Sequence, residues 1–160
     1  MCSDHAVGRV IVGVDRSASG LQALRRGFAE AGMRGSELYA VRAWTMAREL
    51  GDEAVRTVIA AFTDSVGRVP PEIAVRPAVV ADEPGPALVS YADREDDLLI
   101  VGAGRGRRWH HPFGSRVVRY CLSHAQCPVL VVPQPTLTRG RSARGLLREL
   151  RHDLDRRGVW

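Results

Sequence analysis

The chain has 160 residues, 45% of them apolar and 26% charged, which fits one soluble globular domain with a substantial core and some tail. No run approaches the roughly 18 apolar residues that span a bilayer, and the start, MCSDHAVGRV, has no basic segment followed by an apolar core, so a cytoplasmic location is the default expectation. All 23 basic residues are arginine and the net charge is +5; the absence of lysine excludes every mechanism that needs one.

Residues 10–14 (VIVGV) form a short β-branched run that ends at Asp15 and reads as the first strand. Ser17 and Ser19 are N-cap candidates for a helix over residues 20–31, whose apolar face carries Leu21, Leu24 and Phe28. Residues 37–44 (ELYAVRAW) read as the second strand. From 46 to 67 the pattern is helical, with Val55, Val58, Ile59, Phe62 and Val66 at three- and four-residue steps, until Pro70 and Pro71 stop it.

Residues 73–80 (IAVRPAVV) read as a third strand, and Pro77, which withholds a ladder donor, assigns it to a sheet edge. Asp82, Glu83 and Pro84 cap a helix over residues 85–92. A buried strand at 98–101 leads into a Gly/Arg-rich loop, a helix opens near Gly114 and Ser115, and a last buried strand covers 128–132. The final strand is expected to be an exposed apolar edge that pairs with a two-fold mate. Cys121 falls on the helix and Cys127 just before the last strand, where reduced, buried thiols are the usual finding; with Cys2 they make an odd number without metal-type spacing.

The domain division expected is an N-terminal tail (1–8), an α/β domain (9–133) and a C-terminal extension (134–160). In that extension Leu146, Leu147, Leu150 and Leu154 share one face of an Arg-rich amphipathic helix. Docking on its own domain, on a sister subunit or on a protein partner is its expected role. No membrane or nucleic-acid partner is expected.

Alternating strands and helices imply an open parallel sheet with right-handed crossovers and helices on both faces. Ligands in such sheets sit at the carboxyl ends of the strands. Asp15, Ala43 and the stretch Gly102, Gly104, Arg105, Gly106 all lie just past strand ends and converge on one crevice. Loop glycines let backbone N–H groups close on a ligand, and a helix N-terminus carries about +0.5 charge, so phosphate is the first ligand to consider.

The chain resembles the universal stress protein family. The matching stretches are VIVGVDRSASGLQAL, LYAVRAW, VVADEPGPAL, VGAGRG, FGSRV and CPVLVV, in order from Val10 to Val132. The resemblance implies a five-stranded sheet in the order 3-2-1-4-5 and, in many members, bound ATP with or without Mg²⁺. The signature loop of ATP-binding members is Gly, two residues, Gly, nine residues, Gly, then Ser or Thr. Gly104, Gly114 and Ser115 match it, but the first glycine falls at Gly102 instead of at Val101, one position late. The resemblance carries Asp15 to the ribose or a metal, Ala43 to the adenine, and Gly102, Gly104, Gly114 and Ser115 to the phosphates. Arg105, Arg107 and Arg108 add charge-assisted donors for the same phosphates, or else Trp109, His110 and His111 fill the site, or the loop faces solvent.

Little supports catalysis. There is no Gly-x-Ser-x-Gly elbow and no Walker lysine, and the adjacent His110 and His111 lack one-face metal spacing. A receiver domain of response regulators is excluded by the missing lysine after the fifth strand. The expectation is an ATP-binding stress-response module that works as a homodimer and not as an enzyme. The alternative is a dimeric module of the same fold that binds no nucleotide and engages a partner through its Arg-rich tail.

Overall fold

The computed structural model describes residues 8–15, 17–45, 56, 58–61, 72–104 and 115–134. Five strands, β1 (Val10–Gly13), β2 (Leu38–Trp44), β3 (Val75–Ala81), β4 (Leu98–Gly102) and β5 (Val129–Val132), form one parallel sheet in the order β3-β2-β1-β4-β5. Three helices are complete in the described residues: α1 (Ala18–Arg34), α2 (Pro84–Tyr91) and α3 (Arg116–His124). The α/β class and the strand order agree with expectation.

A parallel strand inside such a sheet is covered on both faces, so it reads as a continuous apolar run. β1 and β4 obey this rule: Val10, Ile11, Val12, Leu99 and Ile100 are all fully buried. The pleat sorts their side chains into two layers. Val10, Val12, Leu38, Ala40, Leu98 and Ile100 pack with Leu24 and Phe28 of α1 and with Val58 and Ala61. Ile11, Val41, Leu99 and Val101 pack with Leu88 of α2 and with Val118 and Cys121 of α3.

Local chemistry sets the helix ends. Ser17 is extended (φ −77°, ψ 156°) and its Oγ accepts the Gly20 N–H at 3.0 Å, so α1 opens two residues before the expected start. Gly35, at φ +64°, closes it in the left-handed conformation that favours glycine. α2 opens on Pro84, but its N-cap Glu83 makes no side-chain capping bond; of the expected acidic cap, Asp82 Oδ1 accepts the Glu83 N–H at 2.7 Å, while the Glu83 carbonyl accepts the Ala87 N–H at 2.9 Å.

Pro77 does lie in an edge strand, since β3 pairs only with β2 among the described residues. That strand begins at Val75, two residues later than the reading at 73. β4 extends through Gly102, which the sequence reading had assigned to the loop. Of the helix expected over 46–67, residues 56 and 58–61 are helical and the rest falls outside the described residues. Ile59 does not join the buried stripe. It is 59% exposed while Val58 and Ala61 face the core, because consecutive residues on a helix diverge by about 100° and only one of the pair Val58-Ile59 faces inward.

At the amino ends of β1 and β4, Arg9 forms a fork with Asp97: Nε donates to Oδ1 at 3.0 Å and Nη2 to Oδ2 at 2.6 Å. Nη2 also reaches Asp93 Oδ1 at 2.7 Å and the Tyr91 carbonyl at 3.2 Å, and the guanidinium lies 5.6 Å from the Tyr39 ring centroid. Asp97 is fully buried and also accepts the backbone N–H groups of Arg9 and Arg94, both at 3.2 Å. Hydrogen bonding to Asp97 raises the Arg9 pKa above its ordinary value, and hydrogen bonding to Arg9 lowers that of Asp93.

Cys121 and Cys127 are both buried and free, as expected. Burial pushes the Cys121 thiol up to about 11 and raises Cys127 as well. In a Cys2→Ser background, Ellman's reagent at pH 8 is expected to titrate less than one thiol per native chain and two after denaturation. Rapid native reaction of both thiols contradicts this burial.

Candidate functional site

The carboxyl ends of β1, β2 and β4 open into a cleft of about 310 Å³. Its floor is apolar: Val14 after β1, Val41 in β2 and Val101 in β4, walled by Leu88 of α2 and Val117 of α3. Its rim is polar or backbone: Asp15, Arg42, Ala43, Gly102, Gly104 and Ser115. A volume near 300 Å³ with an apolar wall and few convergent polar groups is characteristic of a small-molecule site.

Five of the expected site residues, Asp15, Ala43, Gly102, Gly104 and Ser115, therefore meet in one cleft. Arg105, Gly106 and Gly114 lie outside the described residues, as do Arg107, Arg108, Trp109, His110 and His111.

Asp15 follows β1 and is turned toward the start of α1. Its Oδ1 accepts the Ser17 N–H at 2.9 Å and the Ser17 hydroxyl at 2.5 Å. Gly20 makes room for this carboxylate, since a Cβ there would stand 1.9 Å from Oδ1. Oδ2 has no hydrogen-bond partner among the described residues. One oxygen of Asp15 orders the helix entry, and capping among the described residues takes only that oxygen, so a capping role and a ligand role are compatible.

The two loop glycines do different work. Gly102 lies against the first turn of α1: a Cβ would stand 2.7 Å from Gly20 N and from Ser19 C, and 2.9 Å from Ser19 O. Gly104 has φ +82°, and a Cβ there would sit 2.9 Å from Ser115 Cβ. The Gly104 N–H donates to Ser19 Oγ at 3.1 Å, and Ser19 Oγ also contacts Ser17 Oγ at 3.1 Å. The late glycine at 102 is thus accommodated by close packing of β4 on α1.

Ser115 is the N-cap of α3, extended at φ −71° and ψ 163°, with Oγ accepting the Val118 N–H at 3.3 Å. An α-helix leaves its first N–H groups without intrahelical partners. With Val118 capped, the Arg116 and Val117 N–H groups have no partner among the described residues, and Val117 lines the cleft. The N-termini of α1 and α3 meet at Gly102 and Gly104, and Pro84 brings the start of α2 to the same rim. The start of α1 is already met by the Asp15 carboxylate, so the helix ends that line the cleft itself are those of α2, through Pro84, and α3, through Ser115 and Val117; a positive helix end favours an anion. α2 adds little donor capacity, because Pro84 and Pro86 in its first turn have no N–H.

Sequence reasoning missed Ser19 as a loop tether and Arg42 as a rim cation. Arg42 Nη1 donates to the Val14 carbonyl at 3.2 Å, bridging the ends of β1 and β2. Its position directly before Ala43, at the carboxyl end of a strand, was the available signal. Among the described residues no cluster of three or more His, Cys, Asp or Glu is arranged for a metal ion, and no helix is long and apolar enough to cross a membrane.

Residues 7–133 match the universal stress protein family. A universal stress protein of Mycobacterium tuberculosis is 29% identical over 141 residues, covering 79% of this chain and 44% of that protein, so the chain spans less than half the length of this relative. The Archaeoglobus fulgidus universal stress protein solved in complex with dAMP superposes with a TM-score of 0.58 at 21% identity, covering 78% of this chain and 97% of that one. A universal stress protein solved in complex with cAMP superposes with a TM-score of 0.55 at 24% identity, covering 80% and 98%. With the family match over most of its length and the 3-2-1-4-5 sheet behind it, the chain belongs to the universal stress protein family.

Proposed function

We propose that this chain is a regulatory module that binds an adenine nucleotide, ATP above all, in the cleft at the carboxyl ends of β1, β2 and β4. The observation that carries the reading is the cleft's polarity. The cleft measures about 310 Å³, with an apolar floor and a rim where two helix N-termini, a left-handed glycine and the Asp15 carboxylate, with one oxygen uncommitted among the described residues, meet. The related structures with dAMP and cAMP support the ligand class.

The residues present fit the ligand in parts. Val41 and Ala43 flank the base, Asp15 Oδ2 accepts a ribose hydroxyl, and the Arg116 and Val117 N–H groups together with Ser115 meet phosphate oxygens. Mg²⁺ would add charge neutralisation on a triphosphate, and Asp15 is the carboxylate near enough to the cleft to help hold it. The module acts by binding and not by catalysis: the chain has no lysine to press on a phosphate, and Asp15 has one oxygen committed to Ser17. It works as a homodimer through the free edge of β5, so light scattering at micromolar protein is expected to return twice the chain mass.

Calorimetry and thermal shift test the site. A ligand at one hundred times its dissociation constant stabilises a fold by about 2.7 kcal/mol. A saturable shift with ATP and none with AMP supports an ATP site; a shift with both reduces the reading to adenine nucleotides in general. No heat and no shift at millimolar ATP overturns it. Two hydrogen bonds favour the second reading, a module that binds no nucleotide and engages a partner through its tail. The Gly104 N–H is already spent on Ser19, and Asp15 Oδ1 on Ser17.

A further inference from the structure

A buried series of hydrogen bonds joins two sides of the cleft. The Gly104 N–H donates to Ser19 Oγ at 3.1 Å, Ser19 Oγ lies 3.1 Å from Ser17 Oγ, and Ser17 Oγ donates to Asp15 Oδ1 at 2.5 Å. Ser17 and Ser19 are 4% and 0% exposed, so bulk water does not compete for these bonds. Counting protons fixes every direction. A carboxylate only accepts, so the single Ser17 proton goes to Asp15. Ser17 Oγ must then accept from Ser19, as it accepts the Gly20 N–H at 3.0 Å. Ser19, with its proton on Ser17, accepts from Gly104. All four groups point one way, from the amide of the glycine turn to the carboxylate after β1.

We propose that this relay couples the two halves of a bound nucleotide: Ser19 holds the Gly104 N–H while Asp15 is unengaged and yields it to a ligand phosphate once Asp15 is engaged. The inference rests on the adenine-nucleotide reading of the cleft and deepens it by naming how the ribose or cation end and the phosphate end assist each other. Hydrogen bonds in series polarise one another. The negative charge of Asp15 makes Ser17 Oγ a stronger acceptor through the proton it donates, and Ser19 Oγ grips Gly104 more firmly in turn. A ribose hydroxyl or a cation on Oδ2 draws charge away from Oδ1. The same series then relaxes, and Ser19 releases the amide.

The placement of the residues supports this. Asp15, Gly104 and Ser115 line the cleft, whereas Ser17 and Ser19 do not, so the two serines act as positioning residues that leave the ligand untouched. Gly104 turns at φ +82° beside Ser115, the N-cap of α3, so a phosphate that takes its N–H also meets the start of that helix. The bond from Gly104 to Ser19, which by itself argues against an anion there, becomes the resting state of the relay.

Two experiments on the full chain test it. An amide proton moves upfield as its hydrogen bond weakens, so the Gly104 resonance of the ligand-free protein reports the relay directly. Asp15→Asn, which puts a neutral acceptor at the far end, is expected to move that resonance upfield. In a Ser17→Ala or a Ser19→Ala background the same change is expected to move it no further; Ser17→Ala also gives up the α1 cap, and Ser19→Ala is the break that keeps it. No movement with Asp15→Asn, or equal movement in all three backgrounds, overturns the relay. Calorimetry with pyrophosphate and adenosine as separate ligands then reads the coupling. Saturating adenosine is expected to tighten pyrophosphate about threefold, the effect of weakening one hydrogen bond by roughly 10–30%, and to do nothing in Ser19→Ala. Binding of both ligands without that gain, or with the gain kept in Ser19→Ala, overturns the proposal. If neither ligand binds while the Gly104 shifts behave as expected, the nucleotide reading falls, and the coupling with it, but the relay stands.

Discussion

Arg9→Met is expected to destabilise the fold by about 3–5 kcal/mol, the range for removing one partner of a buried ion pair. The cost does not come from the attraction lost. It comes from Asp97, fully buried, which would keep two backbone N–H donors but lose the guanidinium fork that neutralises it. Against a typical domain stability of about 5–15 kcal/mol, that is enough to bring a marginal fold near its melting point at 37 °C. Urea unfolding followed by circular dichroism measures it. The double variant Arg9→Met/Asp97→Asn is expected to recover much of the loss, because it removes the uncompensated charge as well as its partner. The exposed pair Arg76–Glu37, at 3.0 Å, is the control: Arg76→Ala is expected to leave the midpoint nearly unchanged, since solvent screens an exposed pair. Equal effects of Arg9→Met and Arg76→Ala would contradict the assignment of Asp97 as a buried charge.

Gly102→Ala is expected to produce the second large effect, and on two properties together. The added methyl would meet backbone atoms of Ser19 and Gly20 at 2.7–2.9 Å, and backbone cannot rotate aside as a side-chain tip can. Overpacking of this kind costs about 1–3 kcal/mol, roughly 2–12 °C in Tm for a chain of this size. Relief comes from pushing β4 and α1 apart, which stretches the 3.1 Å bond from the Gly104 N–H to Ser19 Oγ and opens the cleft rim. The thermal shift with ATP that the proposed function calls for is therefore expected to be absent in this variant. Gly32→Ala separates this from a general intolerance of added methyls, because a Cβ there meets only Ile73 at 3.6 Å and the position is helical; that variant should be neutral or mildly stabilising. If Gly102→Ala kept wild-type stability and ligand response, the close approach of β4 to α1 would have to be abandoned.

Much of the fold was legible in one dimension because its signals are local. A β-branched run buried on both faces, a serine before a helix, a glycine after it and a proline that withholds an N–H all act within a few residues of where they stand. Those signals located β1, α1, α3 and the edge character of β3. Where they failed, the deciding partner was distant. Val58 and Ile59 are equally apolar, and only packing under the sheet chose the first and left the second 59% exposed. Asp97 and Arg9 are 88 residues apart, and nothing in their immediate neighbourhoods announces the pair.

The same division holds at the cleft. The sequence by itself placed Asp15, Ala43, Gly102, Gly104 and Ser115 at or near the carboxyl ends of strands or at the start of a helix, and a parallel sheet then brings all of them to one side. Only the tertiary structure decided what each group is free to do. It committed one oxygen of Asp15 to the entry of α1, spent the Gly104 N–H on Ser19, brought Arg42 to the rim and placed Gly102 against a helix backbone. The physical reason is that propensity and periodicity are properties of neighbouring residues, whereas hydrogen-bond satisfaction and steric room depend on groups that meet only after the crossovers have folded back over the sheet.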